Sequence, residues 1–187
     1  MTRMKLILAF VVALVQSGVL FYMIESRATI LRNGREVVLA TEPVDPRDLM
    51  RGDYVILSYG ISRIAHKDIL GTPPPSDGAK PVYVALTPSE GGRFVFSRAS
   101  WQPLADTKPE EIVLVGQTPD GFYIGTDSVP LTYGIERFYV PEGEGRPIEE
   151  GVGERRVDVV LAVNADGRSQ VRGLRLDGKN LYEEPLY

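Results

Sequence analysis

Between positions 53 and 63, Val55, Leu57, Tyr59 and Ile61 occupy every second place along the chain. A strand sends alternate side chains to opposite faces, so this spacing predicts a β-strand with one buried face. The pattern returns further on. At an offset of 74, Asp53, Val55, Leu57, Tyr59, Gly60, Ile61 and Arg63 each meet an identical residue in the second segment. Six of the seven share one face, which core packing demands and catalysis does not explain. With one residue of slippage the offset becomes 75. Glu36-Val37-Val38-Leu39 then aligns with Glu111-Ile112-Val113-Leu114, and Val82, Val84, Leu86, Gly92 and Arg93 align with Val157, Val159, Leu161, Gly167 and Arg168.

Two copies with a period near 75 are too long and too few for a solenoid, whose units run to roughly 50 residues and need about three copies. The pattern predicts a duplicated β module, a sandwich or partly open barrel, with repeats over about 35–108 and 110–180. Further predicted strands are 36–41, 82–87, 93–98, 111–116, 121–125, 138–140, 157–163 and 170–176, short runs rich in β-branched or aromatic residues and bounded by turn formers. Ser89-Glu90-Gly91-Gly92 and Asn164-Ala165-Asp166-Gly167 suit hairpin loops. No helical periodicity of useful length is expected after the N-terminus. Pro130 cannot donate a ladder hydrogen bond, so its strand is expected at an edge or interrupted there, and Gly60 and Gly134 suggest bulges or close backbone approach. If the two core strands pair antiparallel with Ser58 opposite Thr132, Asp53 faces Arg137 and Arg63 faces Asp127.

The N-terminus is different material. An uncharged run begins at Leu6 and ends at Ile24, interrupted only by Gln16, Ser17 and Gly18. As a helix it spans roughly 28 Å, enough to cross a bilayer. Arg3 and Lys5 precede the run, so the positive-inside rule places the N-terminus in the cytoplasm and the bulk of the chain outside. The run exceeds a signal peptide's core and no clear cleavage site follows, which favours an uncleaved anchor, residues 1–27, over a cleaved signal. Residues 28–187 then form the extracytoplasmic domain. There is no cysteine, which removes disulfides, thiol nucleophiles and iron–sulfur ligation. Net charge is −4, and without Arg3 and Lys5 the outer part carries −6. That argues against a nucleic-acid partner, which wants a clustered basic face.

Catalytic chemistry reads poorly. His66 is the sole histidine, in an expected solvated loop beside Lys67 and Asp68, so a histidine metal site or triad lacks a second histidine. Asp45, Asp48 and Asp53 lack the glycine and glutamate spacing of a calcium loop and read as turn and cap residues. Arg51-Gly52-Asp53 is an adhesion-like tripeptide at a strand start, poorly placed for display. Trp101 reads as a core plug. Two loops differ most between the copies: the stiff 71–78 with its three prolines, and the acidic 141–151 containing Glu142 and Glu144.

Gly52-Asp53-Tyr54-Val55-Ile56-Leu57-Ser58-Tyr59 matches the pattern G-D-Y-x-x-L-x-Y in full, and the layout of the whole chain resembles the bacterial GDYXXLXY protein family. The resemblance implies a membrane-associated bacterial protein with no assigned reaction and no catalytic residue to carry over. A weaker likeness is to type I signal peptidases, from one membrane segment followed by Pro46-Arg47-Asp48-Leu49-Met50-Arg51-Gly52-Asp53. Those enzymes have a serine about eight residues before the Gly-Asp, where this chain has Val44 or Asp45, and no lysine lies on the following strands, Lys80 only adjoining them. A Ser–Lys mechanism needs both groups.

The expectation is therefore a single-pass protein of the bacterial inner membrane, held in lipid from Leu6 to Ile24, whose extracytoplasmic β domain serves as an accessory or interaction module for another membrane protein. No catalytic, cofactor or metal residues are expected. The candidate interaction or ligand residues are Asp53, Tyr54, Ser58, Tyr123, Tyr139, Glu142 and Glu144. A small-ligand-binding domain using Tyr54, Tyr123 and Tyr139 is the alternative, and a signal peptidase-like hydrolase stands behind both. A deep pocket lined by these tyrosines would favour ligand binding, an exposed apolar face a protein partner.

Overall fold

A computed structural model of the chain describes residues 2–43, 54–75, 78–122, 125, 127–139 and 145–184. It opens with one long helix, α1 (Thr2–Asn33), apolar and long enough to cross a membrane, with the side chains of its apolar window exposed. The rest is mostly β: β1 (Arg35–Glu42), β2 (Tyr54–Ile56), β3 (Ser58–Tyr59), β4 (Arg63–Ala65), β5 (Ile69–Leu70), β6 (Pro81–Pro88), β7 (Phe94–Ser100), β8 (Ile112–Gln117), β9 (Ser128–Pro130), β10 (Arg137–Tyr139), then a short helix α2 (Gly145–Gly153), β11 (Val157–Val163), β12 (Ser169–Leu176) and β13 (Lys179–Glu183).

The strands form a five-stranded sheet in the order β13-β12-β11-β1-β3, a four-stranded sheet β5-β7-β6-β8, and two small ribbons, β10-β2 and β4-β9. None closes on itself. Antiparallel pairing repeatedly joins the first half of the chain to the second. β1 pairs with β11 and β6 with β8, while β2 pairs with β10 and β4 with β9. Residues related by the sequence offset form matching contacts. Tyr59 donates its hydroxyl proton to the Ile135 carbonyl at 2.7 Å, and Tyr133 donates to the Ile61 carbonyl at 2.8 Å. The Leu57 amide donates to the Glu136 carbonyl at 2.8 Å, and the Leu131 amide to the Ser62 carbonyl at 2.9 Å. Glu42 lies opposite Ser58, and Gln117 opposite Thr132. Even the irregularities agree: the β6–β7 ladder slips between Ala85 and Leu86, the β11–β12 ladder between Val160 and Leu161.

The alternating residues build the core. Val55, Leu57, Tyr59 and Ile61 are all buried, as are Val129, Leu131, Tyr133 and Ile135. Yet neither segment is one strand. The first breaks at Leu57, between β2 and β3, and again before β4 at a tight turn after Tyr59, where the Ser62 amide donates to the Tyr59 carbonyl at 2.8 Å and the Ser62 hydroxyl accepts from the Tyr59 amide. In the second, Glu136 does the same work, its carboxylate accepting from the amides of Tyr133 and Gly134. Gly134 takes φ +79°, a region costly for other residues. The turn sets the register. The segments do pair antiparallel, but three residues away from the expected alignment: Arg137 lies opposite Ile56 and Arg63 opposite Pro130, so Arg63 does not face Asp127. Asp53 lies outside the described residues. Pro130 ends β9 as its missing N–H requires.

β11 is buried along its full length because β1 and β12 flank it and both helices pack on it. α2 overturns the expectation of no helix after the N-terminus and covers much of the acidic 141–151 segment. Its buried Ile148 and Val152, four residues apart, form one helical stripe that packs toward β1, β2 and β11. Two apolar positions in nine residues, among three glycines and a proline, carry too little period for sequence reading. The predicted strand 121–125 is not formed at the described positions 121, 122 and 125. β4, β5 and β13, too short or too charged to register as strands, were not expected.

Candidate functional site

The ribbon β2-β10 carries the GDYXXLXY tyrosine on its outer face. Val55 and Phe138 lie opposite each other on the inner face and are buried, which fixes which way their neighbours point. Tyr54 then stands opposite Tyr139, and Ile56 opposite Arg137, all on the other side. The two tyrosine rings lie 5.9 Å apart between centroids at an interplanar angle of 54°, and the Arg137 guanidinium carbon sits 5.8 Å from the Tyr54 ring centroid. An exposed contact of that kind contributes about 0.5–1 kcal/mol. Tyr139 is 68% exposed and Ile56 46%. The outer face thus presents an aromatic and an aliphatic side chain to water beside the Arg137 cation.

The ribbon β4-β9 is the counterpart at the sequence offset, and it shows what scaffold alone requires. Its inner pair, Ile64 and Val129, is buried in the same way. On its outer face Ala65 stands where the first ribbon has Tyr139, Ser128 where it has Tyr54, and Pro130 where it has Ile56; only the arginine is shared, Arg63 for Arg137. Inner faces agree and outer faces do not. The aromatic face is thus not needed to make the ribbon.

Of the residues expected from sequence to form a site, Tyr54 and Tyr139 are brought together. Ser58 is elsewhere, paired through β3 with Glu42 of β1. Asp53, Tyr123, Glu142 and Glu144 lie outside the described residues. Ile56 and Arg137 were missed: Ile56 shares the strand parity of Tyr54, the available signal, whereas Arg137 repeats between the copies and reads as scaffold. His66 is not the solvated loop residue expected; it starts a short 3-10 turn, half-buried, with its ring 6.4 Å from that of Trp101. Trp101 is buried in the core.

The strongest ionisation effects belong to the scaffold. Burial, with a contribution from the Glu136 charge, raises the Tyr59 and Tyr133 hydroxyls well above the ordinary tyrosine range, so both stay protonated as donors. The Glu111 carboxyl is held below its usual range, chiefly by the Lys108 amide donating to it at 3.1 Å, against the opposing effect of burial and with help from Arg98 at 2.9 Å. Lys80, the lysine adjoining β6, is buried, with its ammonium 3.5 Å from the Gly78 carbonyl.

Fold and site together define a mostly β protein with one N-terminal helix long and apolar enough to span a membrane, presenting an exposed aromatic ribbon. The chain belongs to the GDYXXLXY protein family, whose profile matches residues 16–174. No curated protein and no solved structure matches it, and the likeness to signal peptidases gains no support.

Proposed function

We propose that this protein is an accessory module anchored in the bacterial inner membrane by α1, with its β domain on the extracytoplasmic side, and that it docks another integral membrane protein through Tyr54, Ile56, Arg137 and Tyr139. One observation carries this reading: two ribbons with matching buried faces differ on their outer faces, and one alone bears the aromatic and aliphatic side chains. Tyrosine and arginine are enriched where interfaces concentrate binding energy, and both stand on this face. The orientation rests on Arg3 and Lys5 ahead of the helix. The internal duplication supports the same reading, since it yields two ribbons, each with one strand from either copy, of which one diverges on its outer face. Tyr54 and Tyr139 do not line the large groove at the foot of α1, which favours docking over small-ligand binding.

The test is a photo-crosslinking amino acid placed at position 139 and, as an internal control, at its counterpart 65, in cells expressing the full chain. Position 139 is expected to capture a discrete membrane protein and position 65 is not. Ile56→Asp should weaken that capture by about tenfold or more without lowering the melting temperature. Equal capture from both ribbons, or none from either, would count against the docking face.

A further inference from the structure

α1 outlasts any bilayer. The hydrocarbon core needs about 20 residues, which the run ending at Ile24 supplies, and the helix continues nine residues further, to Asn33. At about 1.5 Å per residue these extend roughly 13 Å above the hydrocarbon, through the headgroup layer of about 5–8 Å and a little beyond it. The joint with the domain is tight: Ile30 is buried, and the Gly34 amide donates to the Ile30 carbonyl at 2.8 Å. A groove of about 880 Å³ lies there, with Tyr22, Glu25 and Ile30 of the helix on one wall and Val113, Val115 and Arg168 of the β domain on another.

The duplicated architecture shows which charge in this groove is unusual. Arg168 corresponds to Arg93 at the offset of 75, and Arg93 is held 3.0 Å from Asp158, whose side chain is almost fully buried. The residue corresponding to Asp158 beside Arg168 is Tyr83, which also lines the groove. The buried acid has been exchanged for a neutral hydroxyl at the copy that faces the helix. Among the described residues, the Arg168 side chain makes a loose 3.4 Å contact with Asp166 on its own hairpin loop, both side chains mostly exposed.

We propose that the groove takes a glycerophospholipid from the bilayer crossed by α1, with the phosphodiester on the Arg168 guanidinium, the Tyr83 hydroxyl as a second donor, and an acyl chain lying along Val113 and Val115. A guanidinium with a phosphate is among the stronger charge-assisted pairs and is favoured in the partly apolar setting these valines provide. The helix wall of the groove begins at Tyr22, inside the apolar run, so its lower end opens at the hydrocarbon boundary where the lipid lies. This inference rests on reading α1 as membrane-spanning, and the experiment separates the two.

The full chain is reconstituted into vesicles of phosphatidylethanolamine with a minor share of phosphatidylglycerol, doped with phosphatidylethanolamine carrying a diazirine in its acyl chain, then irradiated and mapped by peptide mass spectrometry. Crosslinks are expected on α1 and also on residues 112–117 and 164–168. Arg168→Ala should reduce the β-domain crosslinks about fivefold and Arg168→Lys much less. Ala165→Trp, which fills the groove from an exposed loop position, should abolish them; α1 crosslinks and the melting temperature stay unchanged in all three variants. Crosslinks confined to α1, insensitivity to Arg168→Ala, or displacement of the lipid by excess inorganic phosphate would overturn the lipid site. Absence of crosslinks on α1 itself would overturn the membrane-spanning reading beneath it.

Discussion

At the level of single residues, the alternating positions of the two core segments do more than fill space. Tyr59 and Tyr133 each cross to the other segment and donate to a backbone carbonyl there, so each ties one turn to its counterpart. Removing either hydroxyl leaves a buried carbonyl without its partner, at a cost of about 1–3 kcal/mol. Tyr59→Phe is expected to cost more than Tyr133→Phe, because Tyr59 is 2% exposed against 9%, and urea denaturation monitored by circular dichroism would show it. Since both hydroxyls are raised above the unfolded tyrosine value, their contribution is full below about pH 10 and is lost as pH climbs from there toward the folded values. Glu111 has the opposite sign. Its folded value is depressed, so its contribution is present above the unfolded carboxyl value of about 4 and disappears as pH falls through the folded one. Glu111→Gln should therefore reduce stability at pH 7, and the gap to the natural chain should narrow on acidification; a gap independent of pH would contradict the ionic role.

Among elements, the joint between α1 and β1 tolerates little change. A Cβ added at Gly34 would stand 2.5 Å from the Ile30 carbonyl oxygen and 2.8 Å from the Val163 amide nitrogen, both backbone atoms that cannot swing aside. Gly34→Ala is expected to destabilise the domain by about 1–3 kcal/mol, as forced overpacking does, and to loosen the helix from β11, measurable as faster amide exchange over 30–36. The sequence marked Gly34 as nothing special. It became legible as a constraint only when the helix end was seen against β11. α2 teaches the same lesson in reverse: its two apolar residues were visible, but a surface for them to cover existed only after β1, β2 and β11 had assembled.

For the whole molecule, the consequence of pairing β1 with β11 and β6 with β8 is that each half keeps its own hairpin, β6–β7 or β11–β12–β13, but completes its sheet only with a strand of the other half. Residues 28–108 or 109–187 alone should lack native β signal as monomers. Mixing the two fragments is expected to restore it, and a half that folds as a monomer would contradict the exchange. Long-range pairing of this sort also predicts slow folding relative to local hairpins, because loop closure must precede the contacts that reward it.

The chain's own letters determined the β class, the apolar helix, most of the long strands and the buried parity of the core, since alternation at a period of two and an uncharged run of bilayer length are local properties of the chain. They also placed Tyr54 and Tyr139 among the residues of interest. The order of amino acids did not determine that these two stand opposite each other with Arg137 over one ring, nor that Arg168 and Tyr83 share a groove at the foot of the helix. Both depend on register across strands far apart in the chain. That register is set by the turns at Ser62 and Glu136, whose capping bonds shift the pairing by three residues from the simplest alignment. A shift of an odd number of residues exchanges the faces of a strand, and here each turn moves the buried parity, from Ile61 to Ile64 and from Ile135 to Phe138, so the core up to the turn was readable from one strand at a time and the outer face beyond it was not.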